Sequence, residues 1–388
     1  MINKAVIEQF IKENSHLDVP SLALQLSKKP ELPSQYIINQ IQGRKMAKIK
    51  LPEWDYSTIQ FPDKRAMEQC SSSITGNYKA TQVVKGHYFV DLTGGVGVDT
   101  YYLGKLFDEI TYVEANPELF KISQANLRSL LKEKRLIFEN ESAENFLHKS
   151  KTRFDLIYLD PDRRAGGMKK GVKIEDCSPN LIEIEDQLIK LSKQVMVKFS
   201  PLLDIKQAIQ QLKSITKVSV VSINNDCKEL IFKLSNKKIE STIISCINFT
   251  QSGEEQFVFT YEDEEKVNND FSNPLTYLYE PNASILKAGA FKSLGSHFGI
   301  KKIAINSHFY TSKEKVLDFP GRTFEVIKET NQIKGLSKKA NIISRNHPLS
   351  AEEIKKKGKI KDGGTDYIIA TRLQNNKPLF ILCNRIWN

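Results

Sequence analysis

One strand-turn-helix junction limits what this chain can fold into. Residues Phe89 to Asp99 read F-V-D-L-T-G-G-V-G-V-D, an apolar strand that ends on an acid and enters a helix through a glycine turn. Glycines at 94, 95 and 97 let the backbone turn tightly and approach a ligand, because a Cβ there clashes or forbids the positive φ that the turn needs. The pattern is that of a cofactor cradle. In a dinucleotide fingerprint the turn is G-x-G-x-x-G, and its amides receive a pyrophosphate together with the helix N-terminus. Here the third position is Thr100 and Asp91 closes the strand. A carboxylate there repels a pyrophosphate and favours a ligand bearing an ammonium and a sulfonium, as S-adenosylmethionine does.

The following residues extend this reading. Glu109 to Ala115 (E-I-T-Y-V-E-A) reads as a buried strand with Glu114 at its end, roughly twenty residues past the glycines, where an acid commonly takes ribose hydroxyls. Periodicity then predicts helices near 99–106, 117–131, 143–148, 181–190 and 203–212, and strands near 135–139, 154–159, 194–199, 217–223 and 229–234. Such alternation implies a mostly parallel sheet covered on both faces.

Asp91 through Gly97, Glu114 and the strand-end D-P-D-R-R at Asp160 to Arg164 resemble the class I Rossmann-like S-adenosylmethionine-dependent methyltransferases. More narrowly, E-Q-C-S-S-S-I-T-G-N-Y-K-A (68–80), L-Y-E-P-N-A-S-I-L-K-A-G (278–289) and K-D-G-G (361–364) resemble the bacterial THUMP-like-domain-containing members of that group. They carry a small ferredoxin-like segment before the THUMP-like domain. Thr93 departs from the family's D-x-G-x-G-x-G pattern, standing where its first glycine falls.

The resemblance implies an α/β fold: an N-terminal helical region over 1–66, a Rossmann-like, seven-stranded methyltransferase domain over 67–238, a connecting ferredoxin-like segment over 239–322 and an α/β THUMP-like module over 323–388. It implies S-adenosylmethionine as cofactor, with Lys79, Asp91, Thr93, Gly94, Gly95, Gly97, Asp99, Glu114, Ala115, Ser142, Ala143 and Asp160 as candidate contacts. Ser142 and the Ala143 amide are placed at the adenine, although Ser142 equally starts the next helix as a cap. In the 68–80 segment, Ser71, Ser72, Thr75 and Lys79 either bind the cofactor's carboxylate or cap a helix.

The fourth strand's end carries the expected reaction. Asp160, Pro161, Asp162 and Arg163 are the candidate catalytic group, with Asp160 positioning the acceptor and taking its proton. Enzymes that methylate an exocyclic base amine use a D-P-P-Y-like or N-P-P-Y-like motif here, and its aromatic stacks on the base. This chain lacks that aromatic. A guanidinium also stacks on a base or grips a phosphate, so Arg163 and Arg164 serve an RNA substrate by another geometry, or pair internally with Asp162 or Asp176. Lys169, Lys170 and Lys173, in the glycine-rich and lysine-rich loop 165–180, are further substrate-contact candidates. Cys177 reads as a small packed residue rather than a nucleophile.

Fifty-seven Lys and Arg against 46 Asp and Glu give a formal charge of +11, which makes a polyanion such as RNA, either rRNA or tRNA, a reasonable partner. A small-molecule or protein methyltransferase, and an RNA-binding protein with a non-catalytic methyltransferase fold, are the alternatives. Five scattered cysteines without C-x-x-C spacing argue for a reducing cytoplasm and against zinc or any other metal. No run of eighteen apolar residues and no signal-peptide pattern occurs, so the expectation is a cytoplasmic protein without membrane contact. The basic stretch 43–50 either touches nucleic acid or docks on the sheet, and the acidic run 262–265 reads as an exposed loop.

Overall fold

The computed structural model describes residues 4–54, 58–163, 173–237 and 239–387, without the side chain of Arg163. The chain divides into two compact units, one holding 1–199, 210–214 and 233–236, the other holding 200–209, 215–232 and 237–388.

The first unit opens with α1 (Lys4–Asn14), α2 (Val19–Leu26), α3 (Ser34–Lys50), α4 (Lys64–Gln69) and α5 (Ser73–Thr81). The α3 end is tied down by its own lysine, since Lys50 Nζ donates to the carbonyls of Met67, Glu68 and Cys70 at 2.9, 2.6 and 3.0 Å. Gly43 packs so closely that a Cβ would meet Phe61 at 2.2 Å. Within the basic stretch, Arg44 pairs with Glu8 at 2.7 Å and Lys45 bonds the Leu17 carbonyl at 2.5 Å. These contacts are those of a docked helix.

The alternating part follows as β1 (Gly86–Asp91), α6 (Val98–Gly104), β2 (Phe107–Val113), α7 (Pro117–Leu130), β3 (Arg135–Glu139), α8 (Ala143–Lys149), β4 (Leu156–Leu159), the short β5 (Asp162–Arg163) and β6 (Cys177–Ser178), α9 (Leu181–Leu191) and β7 (Val195–Phe199). The long strands run parallel in the order β7-β4-β1-β2-β3. Both faces of β4 and β7 are buried, as a parallel sheet between helix layers requires. Helix starts are set by side chains that accept otherwise orphaned amides: Asn116 from Glu118 and Leu119, Ser142 from Asn145, Asn180 from Ile182. The order reverses at β1, whose neighbours are β2 and β4. At such a switch point the strands' carboxyl ends leave a crevice.

The second unit contains α10 (Ile205–Gln211) in large part, and then β8 (Ile215–Ile223), β9 (Asp226–Leu234), β10 (Ile243–Thr250) and β11 (Gly253–Phe259), in the order β11-β10-β8-β9. Seven long strands were expected in the methyltransferase sheet. Within the second unit, two strands more than expected follow the β8 and β9 pair: β10 adds in parallel to β8 and β11 pairs antiparallel with β10. The addition covers a β8 edge that would otherwise expose unpaired backbone groups.

Next come α11 (Tyr261–Lys266), β12 (Tyr277–Pro281), α12 (Ala283–Ala288), α13 (Phe291–Phe298), β13 (Lys301–Lys302), β14 (Tyr310–Ser312), β15 (Gly321–Thr330), β16 (Asn341–Ser344), α14 (Ala351–Gly358), β17 (Asp366–Arg372) and β18 (Pro378–Ile386). They form a second sheet ordered β13-β14-β12-β15-β18-β17-β16. Alternate residues of β17 and β18 supply its two faces: Ile369 and Ile381 join one cluster, Ile368, Ala370 and Phe380 another. The acidic run is not a loop. Thr260 caps α11, and buried Glu264 accepts the Phe291, Lys292 and Ser293 amides at 2.8–3.0 Å, so one of the acids is spent satisfying the start of α13. Among the described residues no helix is long and apolar enough to cross a membrane, and no group of three His, Cys, Asp or Glu side chains is placed to hold a metal ion.

Candidate active site

A cavity of about 380 Å³ lies at the carboxyl ends of β1, β2 and β4, wholly within the first unit. Its floor is the glycine turn. Gly95 (φ +54°) and Gly97 (φ +83°) occupy the left-handed region, and a Cβ on Gly94 would enter the Tyr112 ring at 2.0 Å. Two hydroxyls fix the turn by donating to the Gly95 carbonyl, Tyr112 at 2.6 Å and Ser123 at 2.7 Å.

The carboxylates are held by this backbone. Asp91, 1 % exposed, accepts from the Thr93 amide at 3.0 Å and from Thr100 Oγ1 at 2.6 Å. Burial lifts its pKa to about 7; the two hydrogen bonds pull against this, and the negative charges of Asp99 and Asp160 add to it. Glu114 accepts from the Gly95 amide at 2.9 Å and from the Asn116 amide at 2.7 Å, so the end of β2 is clamped to the turn. Thr93, the departure from the family pattern, has a structural use. Its hydroxyl accepts the Asp160 amide at 2.6 Å and joins the end of β1 to the end of β4.

Behind these lies a charged layer. Asp99 pairs with Lys79 at 3.0 Å and accepts from Ser71 Oγ at 2.8 Å and Tyr158 Oη at 2.7 Å. Burial works to raise its pKa, but Lys79, Lys198 and the Tyr158 hydroxyl outweigh it and hold the carboxyl below its ordinary value. Lys198, on β7, contacts Asp160 Oδ2 at 2.6 Å. Burial raises the Asp160 carboxyl, and Lys198 partly offsets the rise.

Of the residues singled out from sequence, Asp91, Thr93, Gly94, Gly95, Gly97, Asp99, Glu114, Ala115, Ser142, Ala143, Asp160 and Asp162 line this one cavity. Ser142 also caps α8. Lys79 differs from expectation: it is fully buried, donates to Ser71 Oγ at 2.9 Å and does not line the cavity, because Asp99 claims its charge. Ser72 and Thr75 form a capping box at the start of α5, which is the helix-cap alternative. Pro161 is buried off the cavity wall. Lys173 is exposed and pairs with Glu175 at 3.1 Å. Cys177 is buried and donates weakly to the Lys173 carbonyl at 3.4 Å. Arg164, Lys169, Lys170 and the Arg163 side chain lie outside the described residues.

Sequence reasoning missed Lys198 and Tyr158. Lys198 left a signal, as the one charge in the apolar V-M-V-K-F strand. Tyr158 left none, since L-I-Y-L reads as ordinary core.

The described lining counts six carboxylates, Asp91, Asp99, Glu114, Glu144, Asp160 and Asp162, against the single cation Lys198. That set of acceptors suits a cationic ligand with vicinal hydroxyls and disfavours a pyrophosphate.

Comparison with known proteins places the rest of the chain. Residues 277–320 match the model of a ferredoxin-like domain, and residues 321–385 match that of a THUMP domain-like family. The chain is similar over its whole length to a protein of Porphyromonas gingivalis W83 provisionally called a methyltransferase, with 28% identity, full coverage of both chains and a TM-score of 0.88. Two more distant structures are a Pyrococcus abyssi tRNA (uracil-54, C5)-methyltransferase in complex with S-adenosyl-L-homocysteine (17% identity, 42% of this chain and 39% of that one, TM-score 0.29) and a Pyrococcus horikoshii protein provisionally called an RNA methyltransferase (12% identity, 50% and 97%, TM-score 0.35). At those scores the likeness is too partial to bear on function. No curated protein matches the sequence. The chain is therefore a methyltransferase-fold protein that carries a ferredoxin-like domain followed by a THUMP-like domain.

Proposed function

We propose that the protein is an S-adenosylmethionine-dependent methyltransferase acting on RNA. The observation that carries the cofactor half is the acidic cavity built on the glycine turn, with Glu114 locked to the Gly95 and Asn116 amides. In this reading Glu114 takes the ribose hydroxyls, Asp91 faces the ligand's positive charge, and Ser142 with the Ala143 amide borders the base. When bound, the cofactor supplies a methyl group on a positively charged sulfur. Asp160 positions the acceptor atom and takes its proton, while Lys198 favours the charged form of that carboxylate against its upward shift. Asp162 lines the same cavity beside it, and Arg163, Arg164, Lys169, Lys170 and Lys173 are assigned to the substrate.

The RNA half rests on the THUMP-like match at 321–385, since THUMP-type modules in RNA-modifying enzymes bind RNA, and on the basic charge of the chain. Calorimetric titration tests the cofactor half. S-adenosylmethionine and S-adenosylhomocysteine bind and NAD does not; equal binding of NAD, or none of the three, overturns the assignment.

A further inference from the structure

A second cavity, about 510 Å³, lies wholly within the second unit and has a different chemistry. Its walls are the β8-β9 turn, the β10-β11 turn, the start of β15 and the end of β18. Asn224 and Asn225 both hold left-handed backbone (φ +49° and +65°), a conformation asparagine tolerates better than most residues.

The wall is built in layers. Asn248 and Asn282, each 2 % exposed, both donate to Glu255 Oε2, at 2.9 and 2.8 Å. Asn248 Oδ1 accepts the Asn225 amide at 2.9 Å, and Asn225 Oδ1 accepts the Ala283 amide at 2.7 Å. This network is spent on holding the walls. In front of it, the side-chain amides of Asn224 and Gln251 make no bond to any described residue.

The two arginines of the cavity differ. Arg322 pairs at 2.5 Å with buried Glu280, which it shares with Arg345 at 2.7 Å. Arg385 has no carboxylate partner among the described residues; its guanidinium lies 3.7 Å from the centre of the Trp387 ring, and its Nε is buried without an acceptor. Trp387 is 72 % exposed, so the guanidinium covers one part of an indole that otherwise faces solvent. Ile386 and this indole are the only large apolar side chains among the described residues of the lining. A greasy ligand finds little here.

We propose that this cavity holds an unpaired nucleotide of an RNA. An unbonded carboxamide presents a donor and an acceptor in one plane, the arrangement that matches a base edge. An exposed indole gives a stacking surface, and an unpaired guanidinium gives charge-assisted bonds to a phosphate. The proposal rests on the RNA reading above and locates one contact of it.

Fluorescence of the whole 388-residue chain tests it, because its only other tryptophan, Trp54, is 2 % exposed. Titration with a single-stranded RNA oligonucleotide quenches Trp387 with a midpoint that weakens as salt rises, whereas a duplex of the same sequence does not quench it. In a gel-shift measurement Trp387→Ala and Arg385→Ala each weaken single-strand binding roughly tenfold. Trp387→Phe, which keeps a ring, retains most of the affinity. A circular dichroism spectrum and thermal midpoint equal to the parent's in each variant show that the chain has folded. Absence of quenching, or single-strand affinity in Trp387→Ala and Arg385→Ala equal to the parent's, overturns the proposal. If all variants bind RNA alike, the RNA reading stands and the cavity is not its site. If the cavity binds RNA that receives no methyl group, the cavity stands and the substrate reading falls.

Discussion

The two cavities are built from opposite materials. In the first unit, carboxylates are fixed by backbone amides at strand ends: Glu114 by Gly95 and Asn116, Asp91 by Thr93. In the second, neutral amides are fixed by one another and by Glu255, and a guanidinium is left without a carboxylate partner among the described residues. A preorganised negative site selects a small cation with hydroxyls, and a neutral site with an unpaired positive group selects a polyanion with base edges. On the proposed reading the first cavity holds the cofactor and the reacting atom and the second holds a further nucleotide of the same RNA, and the contrast can be broken one site at a time.

The largest effect is expected at Asp160. Asp160→Asn lowers the single-turnover methyl-transfer rate roughly 10²- to 10⁴-fold, the range that a positioned proton acceptor supplies, while cofactor affinity changes little. A rate within threefold of the parent removes Asp160 from the reaction. Lys198→Met leaves Asp160 without the cation that restrains its upward shift, so the acidic limb of the pH-rate profile moves to higher pH.

Next is Glu114. Glu114→Ala removes charge-assisted hydrogen bonds worth about 1.5–3 kcal/mol, and calorimetry is expected to read roughly a 10- to 100-fold loss of S-adenosylmethionine affinity. Single-stranded RNA binding stays as it was. Loss of both together dissolves the contrast between the cavities.

A smaller effect comes from pH. The Asp91 carboxyl, lifted to about 7 by burial, carries a proton on the acid side of that value and a charge on the alkaline side. A cationic ligand prefers the charged form. Cofactor affinity therefore rises between pH 6 and pH 8, by at most about tenfold per pH unit, and Asp91→Asn binds more weakly with a flatter profile. A parent profile already flat over that interval contradicts the placement of Asp91 against the positive charge. The smallest effect is on stability alone: Lys50→Met leaves three carbonyls without their donor and lowers the thermal midpoint by a few degrees, with cofactor affinity unaltered.

How legible the molecule was depends on how local each determinant is. The strand, glycine turn and helix over 86–104 could be read because period, apolar pattern and positive-φ residues are adjacent in sequence. Glu114 followed from the length of one β-α-β step. Lys79 was misplaced because its partner Asp99 is twenty residues away and only the fold brings the charge inside. Lys198 and Asp160 are likewise distant in sequence, on neighbouring strands. The acidic run at 262–265 misled because four acids in a row look solvated, and nothing local tells that Glu264 answers the amides of α13. The second cavity escaped, since its residues come from five separate segments and only Asn282 falls in a stretch that the sequence singled out, 278–289.

Methyl transfer from labelled S-adenosylmethionine to total RNA decides whether the protein is an RNA methyltransferase. RNA from a strain lacking the protein is compared with RNA from the intact strain, whose sites are already filled. Label is expected to enter the RNA of the deletion strain and not that of the parent, with Asp160→Asn inactive on the same RNA. Label in neither RNA, from protein shown in parallel to bind the cofactor, contradicts it.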